Sequence, residues 1–225
     1  MCSQVAAIVR QRAPRRNTRT SQQYTSREFR PYALAIGQVA LAWNELQESL
    51  SNLFWTIMLC KEAVMPERPN YAPLWVWHSI KVDRSQREML KAAIEHSVTD
   101  WRRPRFIEDT KWLLDRAGEL EDARNNAVHS PLFATRHSIW GGYASKEPIA
   151  PASWQFNPRA RRLATKGKLL TEFRRCRNTA LALSDYARVI DRALWKSELP
   201  WPHRPSLQAP KQKTGRQARR QPRLK

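Results

Sequence analysis

Apolar residues recur at spacings of three and four along four stretches of the chain, the period that places side chains on one face of a helix. Over 32–60 the stripe is Val39, Leu46, Leu50, Leu53 and Ile57, broadened by Trp43 and Phe54, in a helix that Pro31 opens. A connector over 65–82 follows, in which Pro66, Pro69 and Pro73 break any helix ahead of an apolar patch, Leu74 to Trp77, that closes one end of the core. Asp83 and Gln86 have the spacing of a helix cap with a reciprocal partner, so the second helix is expected from Asp83 to about Thr99, with Leu90, Ala93 and Ile94 facing inwards. Pro104 suits the first turn of a third helix, whose stripe is Phe106, Leu113, Ala117, Leu120 and Ala127. Between 132 and 160, Gly141, Gly142, Pro148, Pro151 and Pro158 exclude a helix and predict a short hairpin or ordered loop. The cleanest heptad closes the fold: Leu169, Phe173, Cys176, Ala180, Leu183, Ala187, Ile190 and Leu194. The pattern predicts an all-α protein, a four- to five-helix antiparallel bundle with a short hairpin or loop insert after the third long helix.

Composition divides this chain into a core and two tails. A length of 225 residues with 41% hydrophobic content suits one domain, expected over 27–197. The net charge of +20 is uneven: residues 1–30 hold seven arginines against Glu28, and 200–225 hold eight Lys or Arg and no acid. Residues 1–26 and 198–225 are therefore expected as disordered basic tails, serving solubility or attraction to a polyanion, with an organellar transit peptide as a further reading of the first. A third basic cluster over 159–177 contains Arg161, Arg162, Arg174, Arg175 and Arg177. Those arginines beside the core are the candidate nucleic-acid-binding residues. Three scattered cysteines without Cys-x-x-Cys spacing argue against a disulfide framework or zinc site and fit a reducing, cytoplasmic compartment. Apolar runs stay far short of membrane-spanning length, so no membrane partner is expected. Glycine-rich phosphate loops, His-Glu-x-x-His, Gly-x-Ser-x-Gly and clustered carboxylates are all missing from the sequence, and no cofactor is expected.

One stretch carries candidate chemistry. In Asp122 to Pro131, D-A-R-N-N-A-V-H-S-P, Arg124 lies within the apolar stripe of the third helix and His129 follows five residues later. A charge on a core-facing stripe must be paired or must open onto a cleft, because burying it alone costs several kcal/mol. Ser130-Pro131 should stop the helix and leave its last turn free to bend His129 towards Arg124. Of the five histidines, only His129 has an arginine four to six residues upstream.

The run R-N-N-A-V-H resembles the signature of the HEPN family, small all-helical proteins with an arginine, four to six residues, then a histidine, and often an asparagine directly after the arginine. The resemblance implies a symmetric homodimer with the motif facing the dimer cleft, and in many members a metal-independent ribonuclease acting in phage defence or as a toxin, with an antitoxin or defence partner protein. It implies Arg124, Asn125 and His129 as the catalytic set, RNA as the partner, and a supporting polar group from the first helix, Gln47 or Glu48. A histidine exchanges protons near neutral pH, and an arginine grips phosphate through parallel hydrogen bonds, which suits cleavage by the 2′-hydroxyl. Trp112 and Leu114, off the main stripe, are the expected apolar dimer surface. The alternative is a non-catalytic HEPN-like module binding nucleic acid or protein, in which Arg124 and His129 pair with first-helix groups.

Overall fold

The computed structural model describes residues 27–59, 70–97, 104–129, 132–134, 149–151, 169–196 and 198–207. These form five helices: α1 (Arg30–Leu59), α2 (Ala72–Ser79), α3 (Asp83–Ser97), α4 (Pro104–His129) and α5 (Leu169–Trp195). Between α4 and α5, β1 (Leu132–Ala134) and β2 (Ile149–Pro151) pair antiparallel with Phe133 opposite Ala150. The all-helical bundle expected from the periodicity is what the chain forms. The insert after α4 contains a short strand pair, and the expected turn at Gly141-Gly142 lies outside the described residues. Among the described residues no helix is long and apolar enough to cross a membrane.

The stripes pack inwards as their spacing dictates. Val39, Trp43, Leu46, Leu50, Leu53 and Ile57 of α1 are buried, as are Leu90 and Ile94 of α3, Phe106, Leu113 and Ala117 of α4, and Phe173, Leu183 and Ile190 of α5. Each large side chain removed from water in this way contributes about 1.5–3 kcal/mol before entropy is counted.

Helix direction differs from the expected antiparallel arrangement at one pair. Arg87–Glu121 and Lys111–Glu95 run in opposite senses along α3 and α4, so these helices are antiparallel. Along α1 and α5 the contacts advance together. Arg177 Nη1 donates to Gln38 Oε1 at 2.8 Å, Ser184 Oγ to the Glu45 carbonyl at 3.2 Å, and Trp195 Nε1 to Thr56 Oγ1 at 2.9 Å, each bond joining residues 139 apart in sequence. A constant offset means parallel helices. Trp112 of α4 meets Tyr186 of α5 while Arg124 lies near Cys176, so α4 runs against α5, and α1, α3 and α5 share one direction.

Two local readings are also revised. Asp83 does begin α3, but Gln86 does not reciprocate a cap: its side-chain amide donates to the carbonyls of Trp77 at 3.1 Å and Ile80 at 3.0 Å, fastening α2 to α3. The stretch expected to be connector becomes α2, with Pro73 in its first turn, where a missing N–H costs nothing. Within the expected C-terminal tail, residues 201–207 pack on α4. Trp201 Nε1 donates to Asp109 Oδ2 at 2.7 Å and Arg204 Nε to Asp109 Oδ1 at 2.5 Å, while Phe106 meets the Trp201 ring edge-on. Asp109 is 0% exposed, so a carboxylate buried by α4 demands these donors and draws the segment down. Residues 208–225 and 1–26 lie outside the described residues.

Candidate functional site

The Arg-Asn-Asn-Ala-Val-His run forms the last turns of α4. Its apolar members, Ala127 and the preceding Leu120, point into the core, which brings Arg124 to the junction of α1, α3 and α4. There the guanidinium carbon lies 5.4 Å from the centroid of the Trp43 ring, Nη2 is 3.9 Å from Asp83 Oδ2, and Nη1 donates to Asn125 Oδ1 at 2.7 Å. Trp43 Nε1 donates to the same Asp83 oxygen at 2.8 Å. One carboxylate thus holds both the ring and the cation above it. The Arg124–Asp83 contact is long for a salt bridge, and with side chains 23% and 28% exposed it is partly screened, so the aromatic face and Asn125 do most of the orienting. Arg124 uses one nitrogen firmly and keeps further donors available, since a guanidinium carries five.

His129 is the final residue of α4 and is exposed. It remains helical, so the expected bend of the last turn towards Arg124 does not occur. Five residues on a helix correspond to about 7.5 Å of rise and about 140° of rotation. Among the described residues His129 makes no hydrogen bond or ion pair. Asn125 is half-buried and occupied by Arg124, whereas Asn126 is buried and its Oδ1 has no hydrogen-bond partner among the described residues.

The two candidates on α1 separate by burial. Glu48 is exposed, but Gln47, one turn beyond Trp43, has both Oε1 and Nε2 buried with no partner among the described residues. A primary amide in that state costs about 1–3 kcal/mol per unmet group, so a polar partner is expected for it. Arg124 Nε is in the same condition. Near them, burial pushes the Cys176 thiol up to about 11, against the opposing pull of Arg175 and Arg124, so it stays protonated at neutral pH.

The basic face of α5 is narrower than its sequence suggests. Arg174 is exposed, Arg175 reaches Glu172 at 3.4 Å, and Arg177 is held by Gln38 and by Asn178. Arg161 and Arg162 lie outside the described residues. Trp112 and Leu114 are not surplus apolar surface: Leu114 is buried, and Trp112 meets Tyr186 edge-on with Arg204 5.6 Å above its ring. Two members of the site escaped sequence reasoning. Trp43 looked like ordinary core and Asp83 like a cap, and the signal for both was the demand that a striped arginine find partners. No family model, curated protein or solved structure matches the chain.

Proposed function

We propose that the protein is a metal-independent endoribonuclease of HEPN type. The observation that supports this reading most is the contrast within one motif: Arg124 is oriented by Trp43, Asp83 and Asn125, while His129 stands exposed at the helix end with no hydrogen bond or ion pair among the described residues. A histidine retained for packing or pairing would be engaged. In the proposed reaction the 2′-hydroxyl of RNA attacks the adjacent phosphorus and the 5′ oxygen leaves. One His129 takes the 2′-hydroxyl proton and the His129 of a second copy protonates the leaving 5′ oxygen, Arg124 grips the phosphate oxygens, and Asn125 fixes the Nη1 edge of the guanidinium. Gln47 would supply a polar contact to the same cleft.

The rotation of about 140° between Arg124 and His129 bears on assembly, because one chain does not aim both groups along one direction. A symmetric homodimer bringing two α4 ends together would surround one phosphate with two copies of each. Leu34 and Leu41, exposed two turns apart on α1, offer apolar area for such a contact in place of Trp112 and Leu114. As in the resemblance, the role would be phage defence or toxicity in the cytoplasm, under control of an antitoxin or defence partner.

The test is cleavage of a structured RNA in the presence of EDTA by the full chain and by His129→Ala. The expected loss is at least about 100-fold, the usual contribution of a positioned acid or base. Equal cleavage by both proteins would remove the enzyme reading. A second reading has its own support in the Trp43–Asp83 seat: Arg124 is a structural pin and the domain a non-catalytic binding module. It predicts that Arg124→Ala lowers the melting temperature sharply and that neither chain cuts RNA.

A further inference from the structure

The outer face of α2 carries aromatic surface that the bundle does not use. Trp77 fills the core against Phe54, with ring centroids 5.5 Å apart, and its neighbour two residues back points the other way. Trp75 is 78% exposed, Val76 50% and Tyr71 52%. Tyr71 and Trp75 are one helical turn apart, fixed by the bond from Trp75 N to the Tyr71 carbonyl at 3.2 Å. Tyr71 is itself stacked on Trp55, at 5.8 Å and 8° between planes, and Trp55 is tethered by its indole N–H to the Asn70 carbonyl at 2.8 Å. One ring face is covered and the tyrosine remains half in water, a preformed end of a stack. In the chain that follows, His78 and Lys81 are exposed, while the next acid, Asp83, is taken by Trp43 and Arg124.

The patch is rigidly tied to the motif. Gln86 clamps the α2–α3 corner through two carbonyls, and Asp83, at that corner, reaches Arg124. Along α1, Trp43 beneath Arg124 and Phe54 beneath Trp77 are eleven residues apart, about 16 Å of helix. An extended single strand lying over the motif would reach the aromatic face within a few nucleotides.

We propose that Tyr71 and Trp75 form a base-stacking platform for single-stranded RNA, with Lys81 holding its backbone. Flat exposed rings followed by a lysine suit unpaired bases, because every base has a π-face and every linkage a negative charge. A duplex, whose bases are already stacked on each other, cannot use such rings. The inference gives the proposed ribonuclease a preference for unpaired RNA and rests on that reading for its biological sense, but it can be tested without cleavage.

Binding of the full chain to a fluorescein-labelled oligouridine with 2′-O-methyl groups, which has no 2′-hydroxyl to attack, isolates the platform from catalysis. Trp75→Ala should weaken binding about 5- to 150-fold, the usual effect of losing one stacked base. Trp75→Phe should keep most of the affinity, and Val189→Ala, an exposed apolar residue of α5, should bind as the parent does. Lys81→Ala should flatten the dependence of log affinity on log salt by about 0.7. Binding by Trp75→Ala within about twofold of the parent overturns the proposal, the result expected if the patch serves a protein partner. Equal weakening towards a duplex of the same length also overturns it, since stacking of unpaired bases would not be the cause. Weakened oligouridine binding in a chain that cuts no RNA would sink the ribonuclease reading alone, and efficient cleavage with unchanged binding would sink this one alone.

Discussion

Asp109→Ala is the substitution for which the structure gives the clearest magnitude. The carboxylate is 0% exposed and accepts from Trp201 Nε1 at 2.7 Å and Arg204 Nε at 2.5 Å, with Arg105 Nε 3.8 Å away. Hydrogen bonds to a charged group are worth about 1.5–3 kcal/mol each, and disrupting a buried charged cluster costs about 3–5 kcal/mol. A loss of about 4 kcal/mol is therefore expected, and for a domain of this size it lowers the melting temperature by about 8–16 °C. Reversible urea unfolding followed by circular dichroism measures it. The coupling is the sharper readout. In a chain carrying Trp201→Ala and Arg204→Ala the carboxylate has already lost both donors, so removing it should then cost far less or even stabilise. Equal costs of Asp109→Ala in the two backgrounds would refute the idea that residues 201–207 are docked through this side chain.

Two further outcomes follow from particular positions. Gly118 lies in the interior of α4, and a methyl group there would meet nothing within 4 Å, so Gly118→Ala should raise stability by about 0.5–1 kcal/mol through lower entropy of the unfolded chain; a loss in urea titration would contradict the open space seen there. Burial holds the Asp191 carboxyl above its ordinary value, opposed by a hydrogen bond from Thr56 and the charge of Arg192. The folded state then binds this proton more tightly than the unfolded one, so its contribution is full at low pH and is lost as pH rises from the ordinary carboxylate value through the raised one. Asp191→Asn should remove that part of the pH slope, and an unchanged profile of melting temperature against pH would count against it.

The long helices were legible because each buries one face: the stripes of α1, α3, α4 and α5 need no partner to be recognised. Arg124 was legible as a residue in need of company, but its company was not, because Trp43 and Asp83 come from other helices and each had an adequate local explanation. α2 stayed hidden because Tyr71 and Trp75 on one side and Trp77 on the other give eight residues no polar face. Helix direction is absent from periodicity altogether, since a stripe reads the same whichever way its neighbour runs. The docked segment was masked by Pro200, Pro202 and Pro205 in a basic run, where Trp201 was the one residue out of character.

The offset of 139 residues between α1 and α5 has a consequence during synthesis. At about 5–20 residues per second, a ribosome needs roughly 7 to 28 s after finishing a given turn of α1 before the turn that covers it exists. Throughout that interval Val39, Leu46, Leu50 and Ile57 lack their main cover, and no N-terminal fragment can supply it. Burial of that face is thereby deferred until α5 has been made, whereas an up-and-down bundle, closing hairpin by hairpin, covers its first helix sooner.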